Sequence, residues 1–156
     1  MGVTGCGKTQ VGAMLAEACG WAFHDADDFH SAENVAKMQQ GVALSDDDRW
    51  PWIARLNGFL LESERQGTSL VLSCSALKQA YRERLTRGCA AARFVLLDGD
   101  IELIRARLAA RQGHYMNPKL LDSQVAILER PQDALRLDVA RTPAELVQSI
   151  RTWLEV

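Results

Sequence analysis

Eight residues near the start of the chain constrain it more than any others. Gly2-Val-Thr-Gly5-Cys-Gly7-Lys8-Thr9 is a full match to the pattern G-x-x-x-x-G-K-[ST]. Each position has a physical reason. Glycines at Gly2, Gly5 and Gly7 let the backbone curl until its N–H groups converge on one point, which suits phosphate oxygens. A helix beginning at Lys8 adds its unpaired N–H groups and positive dipole end at the same place. Lys8 supplies a point charge for the β- and γ-phosphates, and the Thr9 hydroxyl is a ligand for Mg²⁺. The whole loop, with Val3, Thr4 and Cys6, is therefore read as a site for a nucleoside triphosphate and its metal.

A chain of 156 residues fits one domain. Its formal net charge of -2, with acidic and basic residues interspersed, argues against a nucleic-acid partner. No run of ~18 apolar residues marks a membrane span, and the first residues do not resemble a signal peptide. The four cysteines, Cys6, Cys19, Cys74 and Cys89, form no Cys-x-x-Cys pair. Reduced thiols in a cytoplasmic protein are expected.

Periodicity predicts alternating helices and strands. Helices are expected over 8–18, 32–40 (capped by Ser31), 48–67, 78–87, 101–111 (capped by Asp100), 118–129 and from Pro143 onward, behind the capping box of Thr142 and Glu145. Strands are expected over 21–24, 69–73, 93–97 and 135–139. Ser45 and Asp48 also read as a capping box, but that start would place Pro51 inside the helix, so a start at Asp48 is preferred. This alternation is the pattern of an α/β domain with a parallel sheet. Asp25 and Asp27 follow the first strand, where such sheets place their ligands. Two carboxylates there could serve a metal and an acceptor hydroxyl, or simply cap a turn.

Several segments together resemble the gluconokinase family of small P-loop kinases, related to shikimate and nucleoside monophosphate kinases. They are the loop itself, Asp25-Ala-Asp-Asp-Phe-His30, Asn34-Val-Ala-Lys-Met38, Asp46-Asp-Asp-Arg-Trp-Pro-Trp52, Cys74-Ser-Ala-Leu-Lys-Gln-Ala-Tyr-Arg82, Gly113-His-Tyr-Met116 and Leu120-Leu-Asp-Ser-Gln124. Thr4, Cys6 and Thr9 stand where that family usually has serine, and Ser31 replaces a common proline. The resemblance implies five parallel strands, a mobile lid around 112–118, a homodimer, and ATP-dependent phosphorylation of D-gluconate at its 6-hydroxyl. It implies Lys8 and Thr9 on ATP–Mg²⁺, Asp25 on the metal through water, and Asp27 as the proton acceptor. Arg49, Lys78 and Arg82 become candidates for the sugar acid or transferring phosphate. His114 would lie in the lid, with Arg107 or Arg111 stabilising transition-state charge. Two other readings compete: a kinase of another small acceptor such as shikimate, and a non-catalytic ATP-binding module.

One requirement of the loop is unmet in the sequence. The motif should follow a strand, and only Met1 precedes it. The expectation is a vacant central position in the sheet, with a natural protein that begins upstream of an internal Met1.

Overall fold

Hydrophobic periodicity and caps place most of the elements where they are found. The structure, a computed structural model, describes residues 1–110 and 118–156. Its helices are α1 (Lys8–Cys19), α2 (Ala32–Gln39), α3 (Asp46–Arg65), α4 (Gln79–Leu85), α5 (Ile101–Ala109), α6 (Pro118–Ile127) and α7 (Pro143–Leu154). The strands are β1 (Ala22–Asp25), β2 (Leu70–Ser73), β3 (Val95–Asp98) and β4 (Leu135–Asp138), and a 3-10 turn spans Ala26–Phe29. Ser31 caps α2 through the Asn34 N–H, and Thr142 with Glu145 forms the expected capping box of α7.

Two helix starts differ from expectation for clear reasons. Helix α3 starts at Asp46, because Ser45 and Asp48 do form a reciprocal capping box. Pro51 then lies inside the helix, where it deprives only the Asp47 carbonyl of a partner. Asp47 is exposed, so water can serve that carbonyl, and the box outweighs the loss. Helix α4 starts one residue later than expected. Lys78 is its N-cap, in extended conformation, and its ammonium reaches across to Asp46 at the start of α3.

The strands form two parallel pairs, β1 with β2 and β3 with β4. Phe23 lies opposite Val71 and Asp25 opposite Ser73, while Leu97 lies opposite Leu137. Successive strand residues face opposite sides, and two cores follow from that. Val71, Val95 and Leu97 join Val11 and Leu15 of α1 and Leu146, Val147 and Ile150 of α7. Leu72 and Phe94 join Trp52, Ile53 and Leu56 of α3 and Tyr81 and Leu85 of α4. Helix α1 lies close on the sheet because position 12 is glycine: a Cβ there would stand 2.8 Å from the Phe23 ring.

Four strands are present among the described residues, where the resemblance implied five. Among the described residues, Met1 alone pairs with β3 on the side away from β4. The Met1 amine donates to the Val95 carbonyl at 2.5 Å, and the Met1 carbonyl accepts from the Leu97 N–H at 2.9 Å. Gly2 then donates to the Ser75 carbonyl at 3.3 Å and the phosphate-binding loop begins.

Candidate active site

The loop from Gly2 to Gly7 owes its shape to positive φ angles: Gly2 at 139°, Gly5 at 79° and Gly7 at 97°. Two of these glycines also have no room for a side chain. A Cβ at Gly2 would meet the Leu97 carbonyl oxygen at 2.5 Å, and one at Gly5 would meet Leu108 of α5 at 2.5 Å. Gly7 caps α1 without any side-chain hydrogen bond, so the helix N-terminus is left to a ligand. The Lys8 ammonium donates to the Val3 carbonyl at 2.9 Å, folded back across its own loop. Cys6 and Val3 are buried beneath the loop, and Thr4 is buried with its N–H donating to the Gln124 side-chain carbonyl at 2.6 Å.

Parallel pairing of β1 with β2 carries Asp25 to the same end of the sheet as this loop. The Thr9 hydroxyl donates to Asp25 Oδ2 at 2.9 Å, and Asp25 Oδ1 accepts the Asp27 N–H at 3.1 Å. A hydroxyl and a carboxylate in contact at a helix N-terminus form an oxygen-rich set suited to Mg²⁺. The Asp27 carboxyl is held above the usual aspartate range, first by desolvation and second by repulsion from Asp25, while Lys8 acts in the opposite sense. Its side chain is nonetheless 70% exposed, so an incoming hydroxyl can reach it.

The turn that carries Asp27 is braced from α3. The Trp52 indole N–H donates to the Ala26 carbonyl at 2.8 Å, and the His30 ring stacks on Trp52 with centroids 4.3 Å apart. His30 Nε2 lies 3.9 Å from Asp27 Oδ1, and the ring is only 4% exposed. Burial, helped by the nearby Arg49, lowers its pKa to about 4, so it is neutral near pH 7.

A second cluster, joined to this turn through Arg49, collects cations around one carboxylate. Lys78 donates to both oxygens of Asp46 at 2.8 and 2.9 Å, and the Tyr81 hydroxyl also donates to Asp46. Arg49 lies over the Tyr81 ring, 5.6 Å from its centroid, and donates to the Leu44 carbonyl at 2.6 Å. These hydrogen bonds hold the Asp46 carboxyl below its usual range. Of the sequence candidates, Arg49 and Lys78 thus converge. Arg82 does not join them: it is buried and donates to the Ala76 and Leu77 carbonyls at 3.0 and 3.1 Å, bracing the loop after β2. Its charge is spent on backbone carbonyls, a structural duty the spacing does not reveal. Arg107 is exposed on the last turn of α5, beside the Leu108 that covers Gly5. Arg111, His114 and the lid expected at 112–118 fall on or against 111–117 and lie outside the described residues.

Sequence reasoning missed Asp46, Tyr81 and Gln124. Tyr81 lies three residues after Lys78, a spacing that shares a helix face, so it carried a signal. The partnership of Asp46 with Lys78 spans 32 residues and carried none.

A glycine loop opening a helix, with a hydroxyl–carboxylate pair at its mouth and a parallel sheet behind it, defines a P-loop kinase. The family model described as shikimate kinase matches residues 4–150. A probable gluconokinase of Mus musculus is 42% identical over 175 residues, covering 99% of this chain and 95% of that protein. A crystal structure of a sugar kinase from Janibacter sp. HTCC2649 superposes with a TM-score of 0.94 at 42% identity, covering 100% of this chain and 92% of the other. A gluconokinase structure from Sinorhizobium meliloti 1021 gives 0.82 at 41% identity, covering 95% and 85%. The chain belongs to the gluconokinase family, within the wider shikimate kinase group.

Proposed function

We propose that this protein is a cytoplasmic, ATP- and Mg²⁺-dependent kinase of D-gluconate, producing 6-phospho-D-gluconate. The observation that carries the reading is the convergence of two sites. A phosphate loop has Asp27 at its edge, and Arg49, close enough to the His30 ring beside Asp27 to lower its pKa, belongs with Lys78 and Tyr81 to a cluster that already holds one carboxylate, that of Asp46. A sugar acid presents a carboxylate at one end and a primary hydroxyl at the other, which matches that pair of features.

In the reaction, the loop N–H groups and Lys8 receive the phosphates, for which the lysine leaves the Val3 carbonyl. Thr9 and Asp25 would hold the metal, which supplies charge neutralisation across the β- and γ-phosphates. Asp27 accepts the proton of the 6-hydroxyl as that oxygen bonds the γ-phosphorus, and the bond from phosphorus to the bridging oxygen breaks to release ADP. Raising the Asp27 pKa brings a carboxylate base closer to neutrality, which strengthens it for this transfer. His30 and Trp52 keep its turn in place. Lys78, Arg49 and Tyr81 take the gluconate carboxylate in place of Asp46, with arginine able to offer a bidentate fork. Arg107, and Arg111 and His114 ahead of α6, are the groups proposed to meet the nucleotide and the acceptor.

The test is an acceptor panel with coupled ADP detection, including gluconate, shikimate and other sugar acids. Gluconate-dependent ADP release far above the rest is expected. Preference for shikimate would move the acceptor assignment, and ATP binding without acceptor-dependent ADP release would remove the kinase reading.

A further inference from the structure

Lys78 occupies a position that suits it badly. It is the N-cap of α4, where side chains that accept hydrogen bonds are strongly preferred, and it makes no side-chain cap bond. Two residues ahead of it, Ala76 is held at a φ of 44°, in the left-handed region that residues other than glycine seldom enter. Such a turn keeps one shape only where its surroundings fix it. The fixing comes from Glu129, which lies two residues past the end of α6. Its N–H donates to the Leu77 carbonyl at 2.9 Å, and its Oε2 accepts the Gln79 N–H at 2.5 Å. Those two groups belong to the peptide units on either side of Lys78, so Glu129 grips the lysine's backbone from both ends. Its carboxylate also serves the first N–H of α4, the cap that a lysine is unable to supply. Arg82 donates to the same Leu77 carbonyl at 3.1 Å and fills its second lone pair. The grip is itself anchored. Beside Glu129, Arg130 donates to both oxygens of the buried Asp98 on β3, at 2.7 and 3.3 Å.

We propose that Glu129 is the positioning residue of Lys78, fixing the extended backbone from which the ammonium reaches the acceptor's carboxylate. The inference rests on the assignment of Lys78 to that carboxylate. Glu129 itself touches neither substrate in this scheme and acts through the lysine. Lys78 has φ −91° and ψ 149°. Without the clasp, α4 is free to lengthen by one residue, with ψ turning towards the helical value of about −42°. That rotation would swing the side chain relative to α4 and take the ammonium from its place beside Asp46 and Tyr81. The clasp thus holds the lysine in the one backbone state that serves the acceptor, at a helix start that its own side chain does nothing to stabilise.

The experiment compares Glu129→Ala with Glu129→Gln, whose side-chain carbonyl still accepts a hydrogen bond. The first N–H of a helix has no partner within it, so slow amide exchange at Gln79 reports the clasp directly. Glu129→Ala should speed that exchange by about tenfold or more, and Glu129→Gln should stay near the parent. In turnover, Glu129→Ala should raise the KM for gluconate roughly three- to tenfold, with kcat and the KM for ATP nearly unchanged, and Glu129→Gln should restore most of the loss. In a Lys78→Ala background the Glu129→Ala change should have almost no effect on the KM for gluconate, because the group it positions is gone. An unprotected Gln79 N–H in the parent, equal rises in both KM values, or an undiminished effect without Lys78 would each overturn the proposal. Should Glu129→Ala fail to fold, the parent decides. Gln79 exchange slowed further by the acceptor that the panel selects supports the coupling, and exchange unchanged by that acceptor overturns it. Exchange in the unliganded protein involves no acceptor, so failure of the clasp is distinguishable from failure of the gluconate reading.

Discussion

The proposed donor and acceptor halves of this site are built in opposite ways. The donor half is local: one contiguous loop and the helix it opens supply the glycine turns, the ammonium and the hydroxyl, from Gly2 to Thr9. The acceptor half is assembled from distant segments. Asp46 and Arg49 come from the start of α3, and Lys78 and Tyr81 from the start of α4. A local site is determined mostly by its own backbone, whereas an assembled one depends on the packing of α3 against α4. That packing buries Trp52, Ile53, Tyr81 and Leu85 in a single cluster.

The largest effect should come where the halves meet. Asp27→Asn keeps the shape and removes the proton acceptor. Turnover should fall by roughly 10²–10⁴-fold while ATP affinity is kept. Loss of ATP binding with normal turnover at saturation would instead make Asp27 part of the donor half. Next, Lys8→Met should lower kcat by roughly 10²–10³-fold, as for other preorganised electrostatic groups, with an unchanged circular dichroism spectrum. Near-normal kcat would sink the donor assignment.

Smaller changes should separate the halves cleanly. Lys78→Ala should raise the KM for gluconate by about 10- to 100-fold, the worth of a charge-assisted hydrogen bond, and leave the KM for ATP within a few-fold. Equal rises in both would show a structural lysine. Asp46→Asn should have the smallest and most telling effect. Removing the carboxylate that occupies Lys78 and Tyr81 should lower the KM for gluconate a few-fold. It should also lower stability slightly, because Asp46 sits in the first turn of α3. A raised KM would mean that Asp46 binds the acceptor rather than competing with it.

The same contrast explains what could be read in the sequence. The phosphate loop, α1 and the capping box of α7 are specified by residues within one or two turns of each other, and all were legible. The start of α3 departs from the expected Asp48 because Pro51 costs one backbone bond while the Ser45–Asp48 box satisfies two donors. Arg82 looked like an anion ligand because nothing local shows that its guanidinium reaches the Ala76 and Leu77 carbonyls. The latch of Asp46 on Lys78 was invisible for a similar reason: only the packing of two helices brings residues 32 positions apart together. The parallel pairing of the strands was legible too, in the alternation of helices with strands.

The buried His30 ring makes acid the natural means of dismantling this enzyme unevenly. Its folded pKa of about 4 lies below the ordinary 6.5, so folding favours the neutral ring. No cost arises above pH 6.5. As the pH falls from 6.5 towards 4 the unfolded chain takes up a proton that the folded one resists, and up to about 3 kcal/mol of stability is lost. That loss falls on the Trp52 brace under Asp27. The carboxyl of Asp48, held down to about 2 by its partners Lys37 and Ser45, keeps the α3 cap ionised through the same range. Acidification would therefore weaken the brace under the Asp27 turn while the carboxyl that caps α3 stays ionised.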